Sequence, residues 1–140
     1  MPSGSPARYE LLAGDIVSPR TGTLGRYGRV LANQAGWLLG PGCVRFRPNE
    51  RVDSQYLTYY LSSPAALHWV AERATGSAIR HINAATLREM PIQLPPLPVQ
   101  REIVELLDPL HVAATIHSQL STTTRELRDL LVSVLIPQGR

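Results

Sequence analysis

Lysine is missing from this 140-residue chain, so all fourteen basic residues are arginines. That absence removes whole classes of chemistry. A P-loop needs a lysine on the nucleotide phosphates, and a Schiff-base enzyme needs a reactive amine. Nucleases whose acidic metal site is completed by lysine do not fit either. Cysteine is almost as scarce. Cys43, the single one, can form no internal disulfide and no cysteine-built metal site. Set at the head of Cys43-Val44-Arg45-Phe46, it reads as a buried structural thiol. No apolar run approaches the roughly 18 residues that cross a bilayer. Met1 to Arg8 is polar and lacks a signal-peptide pattern. The expectation is a soluble, cytoplasmic protein with a disordered leader over residues 1–8. His68, His111 and His117 have no ligand spacing and no acidic motif nearby, so no metal site is expected.

What is present points to an anionic partner. The length suits one domain, and the apolar content of 44% permits a modest core. The formal charge of +3 is unevenly spread: residues 1–53 hold seven arginines against four acids, whereas residues 99–140 hold four against five. The front half also carries the most informative stretch. Leu11 to Val17 is a short apolar run around Gly14 and Asp15. It feeds a loop, Arg20-Thr21-Gly22-Thr23-Leu24-Gly25-Arg26-Tyr27-Gly28-Arg29, without an acid. Glycine permits close backbone approach, and arginine offers a planar fork suited to phosphate or to guanine in the major groove. A plain solvated turn between strands has the same composition, so the loop alone does not decide.

Along the chain, Tyr9–Ser18 reads as a strand, Arg29–Gln34 as a second and Gly36–Leu39 as a third. Cys43–Arg47 alternates apolar and basic residues with the period of a half-buried strand. A helix should start at Asp53 or Ser54, with Tyr56, Leu57, Tyr60 and Leu61 on its apolar stripe. Pro64 opens a second helix over Ala65–Ala74, facing inward with Leu67, Val70 and Ala71 and ended by Gly76. Ser77–Asn83 is a second polar, basic loop with Arg80 and His81 between Ile79 and Ile82. Ala84–Glu89 reads as a short helix, and Met90–Leu94 as an edge strand because Pro91 cannot donate to a ladder.

The last third differs. Ile103, Leu106, Leu110, Ala113, His117, Leu120, Thr124, Leu127, Leu131 and Val134 keep a/d heptad spacing over more than four heptads. Asp108 as a cap and Pro109 at a first helical position predict a break or kink near 108–109. A single helix cannot bury such a seam. A partner helix is expected at Ile103, Leu106, Leu110, Leu120, Leu127, Leu131 and Val134. The fold class implied is α+β: a small mixed or antiparallel β-rich part with packed helices, followed by a long C-terminal coiled-coil-type helix.

Taken in order, these segments resemble the specificity subunits of type I restriction–modification systems. Leu11-Leu12-Ala13-Gly14-Asp15-Ile16-Val17 with Arg20-Thr21-Gly22-Thr23-Leu24-Gly25-Arg26 is similar to a recurrent pattern of that family. So are the Gln55–Ser63 helix, the Gly76–Ile82 loop, and the junction Leu87–Gln100 with its Pro95-Pro96-Leu97-Pro98 core. The heptad helix resembles the family's spacer helix. The resemblance covers residues 10–135 and departs at Val99, where the family usually has glutamate before Gln100. It implies residues 9–97 as part of a target-recognition domain, and 98–136 as a spacer or dimerisation helix. A full subunit holds two such domains and two helices, so a half-subunit or a truncated form is implied here.

The resemblance further implies a non-catalytic module that reads double-stranded DNA and docks a methyltransferase subunit, with a restriction subunit joining through it. S-adenosylmethionine and ATP would then be held by partner subunits, with no cofactor on this chain. Candidate DNA-binding residues are Arg20, Thr21, Gly22, Thr23, Gly25, Arg26 and Arg29 from the first loop, and Ser77, Arg80, His81 and Asn83 from the second. The alternative is an assembly or regulatory module that pairs through its helix, with itself or a partner, without reading DNA. An enzyme built on Asp15, Glu72, Ser77 and His81 has no spacing to support it.

Overall fold

A computed structural model describes residues 6–136. Of the expected leader, residues 1–5 lie outside the described residues, and Pro6–Arg8 form a short 3-10 turn. The chain divides after Arg101 into two compact units.

The first unit is built on a three-stranded antiparallel sheet. Strand β1 (Ile16–Pro19) lies between β2 (Gly28–Arg29) and β3 (Cys43–Phe46). Ile16 sits opposite Arg29 on one side and Phe46 on the other. The predicted Tyr9–Ser18 strand is shortened because Leu12–Asp15 makes a tight turn: Asp15 N–H donates to the Leu12 carbonyl at 3.0 Å, and Gly14 has a φ of +89°. Before the turn, the chain pairs instead with 37–39, through Leu11 N–H to the Trp37 carbonyl and Leu39 N–H to the Tyr9 carbonyl, both 2.7 Å. Gly36–Leu39 therefore contributes a bridge rather than a strand, Leu38 facing Glu10. Of the predicted Arg29–Gln34 strand, Arg29 alone is in β2. Gln34 folds back and its side chain accepts from Leu31 N–H at 2.9 Å, turning Ala32–Gln34 into a 3-10 helix.

The helices follow their start signals closely. Asp53 caps α1 (Ser54–Leu61) by accepting from Gln55 and Tyr56 N–H. Ser63 caps α2 (Pro64–Arg73), which has proline in its first turn. Asn83 caps α3 (Ala84–Arg88). Ile16, Leu57, Leu61, Ala66, Val70, Ile82, Leu87 and Met90 form one buried cluster, with Phe46, Tyr27 and Trp69 packed at its edge. Burial on α2 falls on Ala66 and Val70, while the predicted Leu67 and Ala71 are exposed. Cys43 is half-buried.

Met90–Leu94 is no strand. Met90 enters the core, and the following carbonyls are taken by side chains: Tyr60 Oη donates to Pro91 O at 3.0 Å and Tyr56 Oη to Gln93 O at 2.8 Å.

Helix α4 (Leu97–Leu135) opens in the first unit, and its remainder makes up the described part of the second. It runs through Pro109 uninterrupted, so the predicted break near 108–109 is corrected. Proline there removes one backbone hydrogen bond, to the carbonyl of Glu105, and the helix-compatible residues on both sides carry the element past it. Of the predicted seam, Ile103 is half-buried, whereas Leu106, Leu110, Leu120, Leu127, Leu131 and Val134 are exposed. No helix among the described residues is long and apolar enough to cross a membrane.

Candidate nucleic-acid interface

The two basic loops, some sixty residues apart in the chain, are joined backbone to backbone. Thr21 and His81 face each other in an antiparallel bridge. On either side of it, Gly22 N–H donates to the Arg80 carbonyl at 2.8 Å and Ile82 N–H to the Arg20 carbonyl at 2.9 Å. Arg20 N–H in turn donates to Gly42 O at 2.9 Å, tying the first loop to the start of β3. The second loop is closed on itself: Thr75 and His81 exchange two backbone hydrogen bonds of 2.8 Å. Gly76 makes this closure possible. Its φ is +94°, and a Cβ there would run into the Ile79 carbonyl. Thus loops that sequence could only name separately are tied together by backbone hydrogen bonds.

Within them the candidate residues separate. Thr21, Gly22, Thr23, Arg26, Arg29 and Ser77 are exposed. Among the described residues the ion pairs are Arg47–Asp15, His68–Glu72, Arg73–Glu72 and Arg128–Asp129, so Arg20, Arg26, Arg29 and Arg80 pair with no carboxylate there. Arg20 is half-buried, and its Nε lies out of solvent without a hydrogen-bond partner among the described residues. A buried, unsatisfied guanidinium donor is unfavourable in isolation.

Other candidates have internal duties. The Arg80 guanidinium turns onto the C-terminal end of α2, donating through Nη2 to Ala71 O at 2.6 Å and through Nη1 to Gly76 O at 3.4 Å. It offsets the negative end of that helix. The side chain of Asn83 is taken as an N-cap, accepting from Thr86 N–H at 2.7 Å. At Gly25 the close approach is internal: a Cβ would stand 2.7 Å from Leu67 Cδ2 on α2. His81 is half-buried, and its Nδ1 lies 3.0 Å from Thr21 Oγ1.

The structural roles of two residues escaped the sequence reading. Asp15 is fully buried and receives a two-pronged hydrogen bond from Arg47, Nε to Oδ1 and Nη2 to Oδ2, each 2.7 Å, besides Leu12 N–H at 2.8 Å. Burial alone would raise its carboxyl pKa. The hydrogen bonds from Arg47 and Leu12, with the charges of Arg47 and Arg45, outweigh it and hold the group below the ordinary aspartate value. Gly14-Asp15 stood out in the sequence, but nothing in a separation of 32 residues marked Arg47 as its partner. Gln100 is likewise fully buried, and no feature of its neighbours Val99 and Arg101 foretold it.

A family model described as the type I restriction modification DNA specificity domain matches residues 9–123. The specificity subunit of the type I restriction enzyme EcoDI from Escherichia coli is 28% identical over 88 residues, 62% of this chain and 20% of that protein. The crystal structure of the HsdS subunit from Thermoanaerobacter tengcongensis superposes with a TM-score of 0.66 at 18% identity, covering 97% of this chain and 38% of that one. The S subunit of a type I restriction–modification system from M. genitalium superposes with a TM-score of 0.61 at 20% identity, covering 93% and 34%. The chain spans about a fifth of the Escherichia coli protein and little more than a third of each solved chain. At such identities the solved structures speak to the fold, which is α+β with a small antiparallel sheet and a long C-terminal helix. The family model covers most of the chain, and the chain belongs to the type I restriction modification DNA specificity domain family.

Proposed function

We propose that this chain is a sequence-reading DNA module of a type I restriction–modification assembly. In this reading the joined loops lie on duplex DNA, with Arg26, Arg29 and Arg20 answering phosphates or guanine edges. Thr23 and Ser77 supply hydroxyls beside them. The observation that supports the reading is the backbone junction of the two loops, which bonds Arg20–Gly22 to Arg80–Ile82. Among the described residues, no carboxylate pairs with the arginines of these loops. The exposed leucines of α4 support a helical partner, and a methyltransferase subunit or a second copy fits that role. Catalysis, with S-adenosylmethionine and ATP, would reside on methyltransferase and restriction subunits.

A titration of the full chain with duplex DNA across a salt series tests this. Affinity should fall steeply with salt. Arg26→Ala with Arg29→Ala should flatten the logarithmic slope by about two, near one for each phosphate no longer neutralised. An unchanged slope and affinity in that double variant would rule out the proposed contacts. A second reading, assembly without DNA contact, draws on the Arg80 guanidinium being held by the Ala71 carbonyl at the end of α2 and on Gly25 lying against Leu67 of α2. A parent chain that ignores duplex DNA at low salt yet self-associates through α4 would favour it.

A further inference from the structure

We infer that Thr21 is a positioning residue that sets the tautomer of His81, so that the imidazole offers the nucleic acid one Nε2–H donor. The inference rests on the DNA-reading function proposed above and adds what that surface selects.

The main chain holds the ring in place. His81 N–H and C=O are both taken by Thr75, at 2.8 Å each, and the residues on either side of it are bonded to the first loop. Its opposite number in the bridge is Thr21. Among the described residues, the imidazole makes one side-chain hydrogen bond, between Nδ1 and Thr21 Oγ1 at 3.0 Å. No carboxylate pairs with His81 among the described residues, whereas Glu72 lies 3.1 Å from His68.

A hydroxyl has one proton to give, and a neutral imidazole has one nitrogen that can accept it. Among the described residues, Thr21 Oγ1 meets no other acceptor. The arrangement that uses its proton within the protein is Oγ1–H donating to Nδ1. The ring proton then sits on Nε2, which has no partner among the described residues. An Nε2–H donor suits a phosphate oxygen, the N7 and O6 acceptors of guanine, the N7 of adenine and the O4 of thymine. It is mismatched to the amino groups of cytosine and adenine. The opposite tautomer would invert that preference, so a threonine that need not touch DNA decides the sign of the contact.

The test has two readings on the full chain with labelled histidine. Long-range nitrogen–proton correlation identifies the protonated ring nitrogen without DNA. The parent and Thr21→Ser should show His81 protonated at Nε2, and Thr21→Val should lose that bias. Titration with a random-sequence duplex pool at one low salt concentration should then show Thr21→Val about 3- to 10-fold weaker, the scale of one hydrogen bond. Thr21→Ser should stay within about twofold on the same scale. Protonation of the parent at Nδ1, or a Thr21→Val chain that binds as tightly as the parent, overturns the inference while leaving the arginine contacts standing. A parent that binds no duplex overturns the underlying function, whatever the ring shows.

Discussion

At the scale of single residues, the Asp15–Arg47 pair ties the turn before β1 to the residue that follows β3. Asp15 is 1% exposed and the Arg47 side chain 41%, so the carboxylate is the member that depends on its partner. Removing the guanidinium leaves a buried charge with Leu12 N–H as its remaining bond. Arg47→Met should therefore destabilise the first unit by about 2–3 kcal/mol, the low side of the range for a broken buried pair. The pH dependence follows from the lowered Asp15 pKa. Asp15 contributes its stability above the unfolded-state pKa, and the contribution is lost as pH falls through the lower folded value. Thermal unfolding of the parent should show a stability loss setting in below about pH 4. In Asp15→Asn that acid limb should be flatter and the plateau lower. An acid limb as steep in the variant as in the parent would show that other carboxylates govern it.

At the scale of elements, Gln100 fastens the first turn of α4 to the segment leading into α1. Its Oε1 accepts from Asp53 N–H at 2.9 Å, while Nε2 donates to Arg51 O at 3.0 Å and Pro95 O at 2.8 Å. One amide thus satisfies a donor and an acceptor of the Arg51–Asp53 segment and an acceptor at Pro95. Gln100→Ala should destabilise by about 2–4 kcal/mol. Gln100→Glu should be no milder, because it keeps the acceptor but removes both donated bonds and places a charge in the same space. A glutamate variant with the melting temperature of the parent would show that this clamp contributes little. The starts of α1, α2 and α3 obeyed local rules: Asp53, Ser63 and Asn83 each cap where a short polar side chain precedes an apolar run. Strands did not, because a strand is completed by partners far away in sequence. Tyr9–Leu11 found Trp37–Leu39 and Met90–Leu94 found tyrosine hydroxyls, and neither pairing is visible in local alternation.

At the scale of the whole molecule, α4 carries a run of exposed large apolar side chains. Leu127, Leu130, Leu131, Val134 and Leu135 are all exposed within its last turns. A chain with such a seam is expected to associate. Sedimentation of the full chain should show a concentration-dependent increase in mass, which Leu127→Asp with Leu131→Asp abolishes. A monomer at all concentrations would leave the face to a different partner chain. An assembly unaffected by the two aspartates would place the contact elsewhere.

Composition, capping residues and heptad spacing alone determined the α+β class, the helix starts and the long C-terminal helix, because each depends on interactions within a few residues. The order of motifs likewise marked both basic loops. Only the tertiary structure decided that these loops are joined, since the bonds from Gly22 to Arg80 and from Ile82 to Arg20 close about sixty residues of chain. It also divided the arginines by duty. Arg80 faces the end of a helix and Arg47 a buried carboxylate, whereas Arg26 and Arg29 stay exposed without a carboxylate partner among the described residues. The side chain is identical in all four. What separates them is the group that folding brings within hydrogen-bonding reach, and that distance is not written in local sequence.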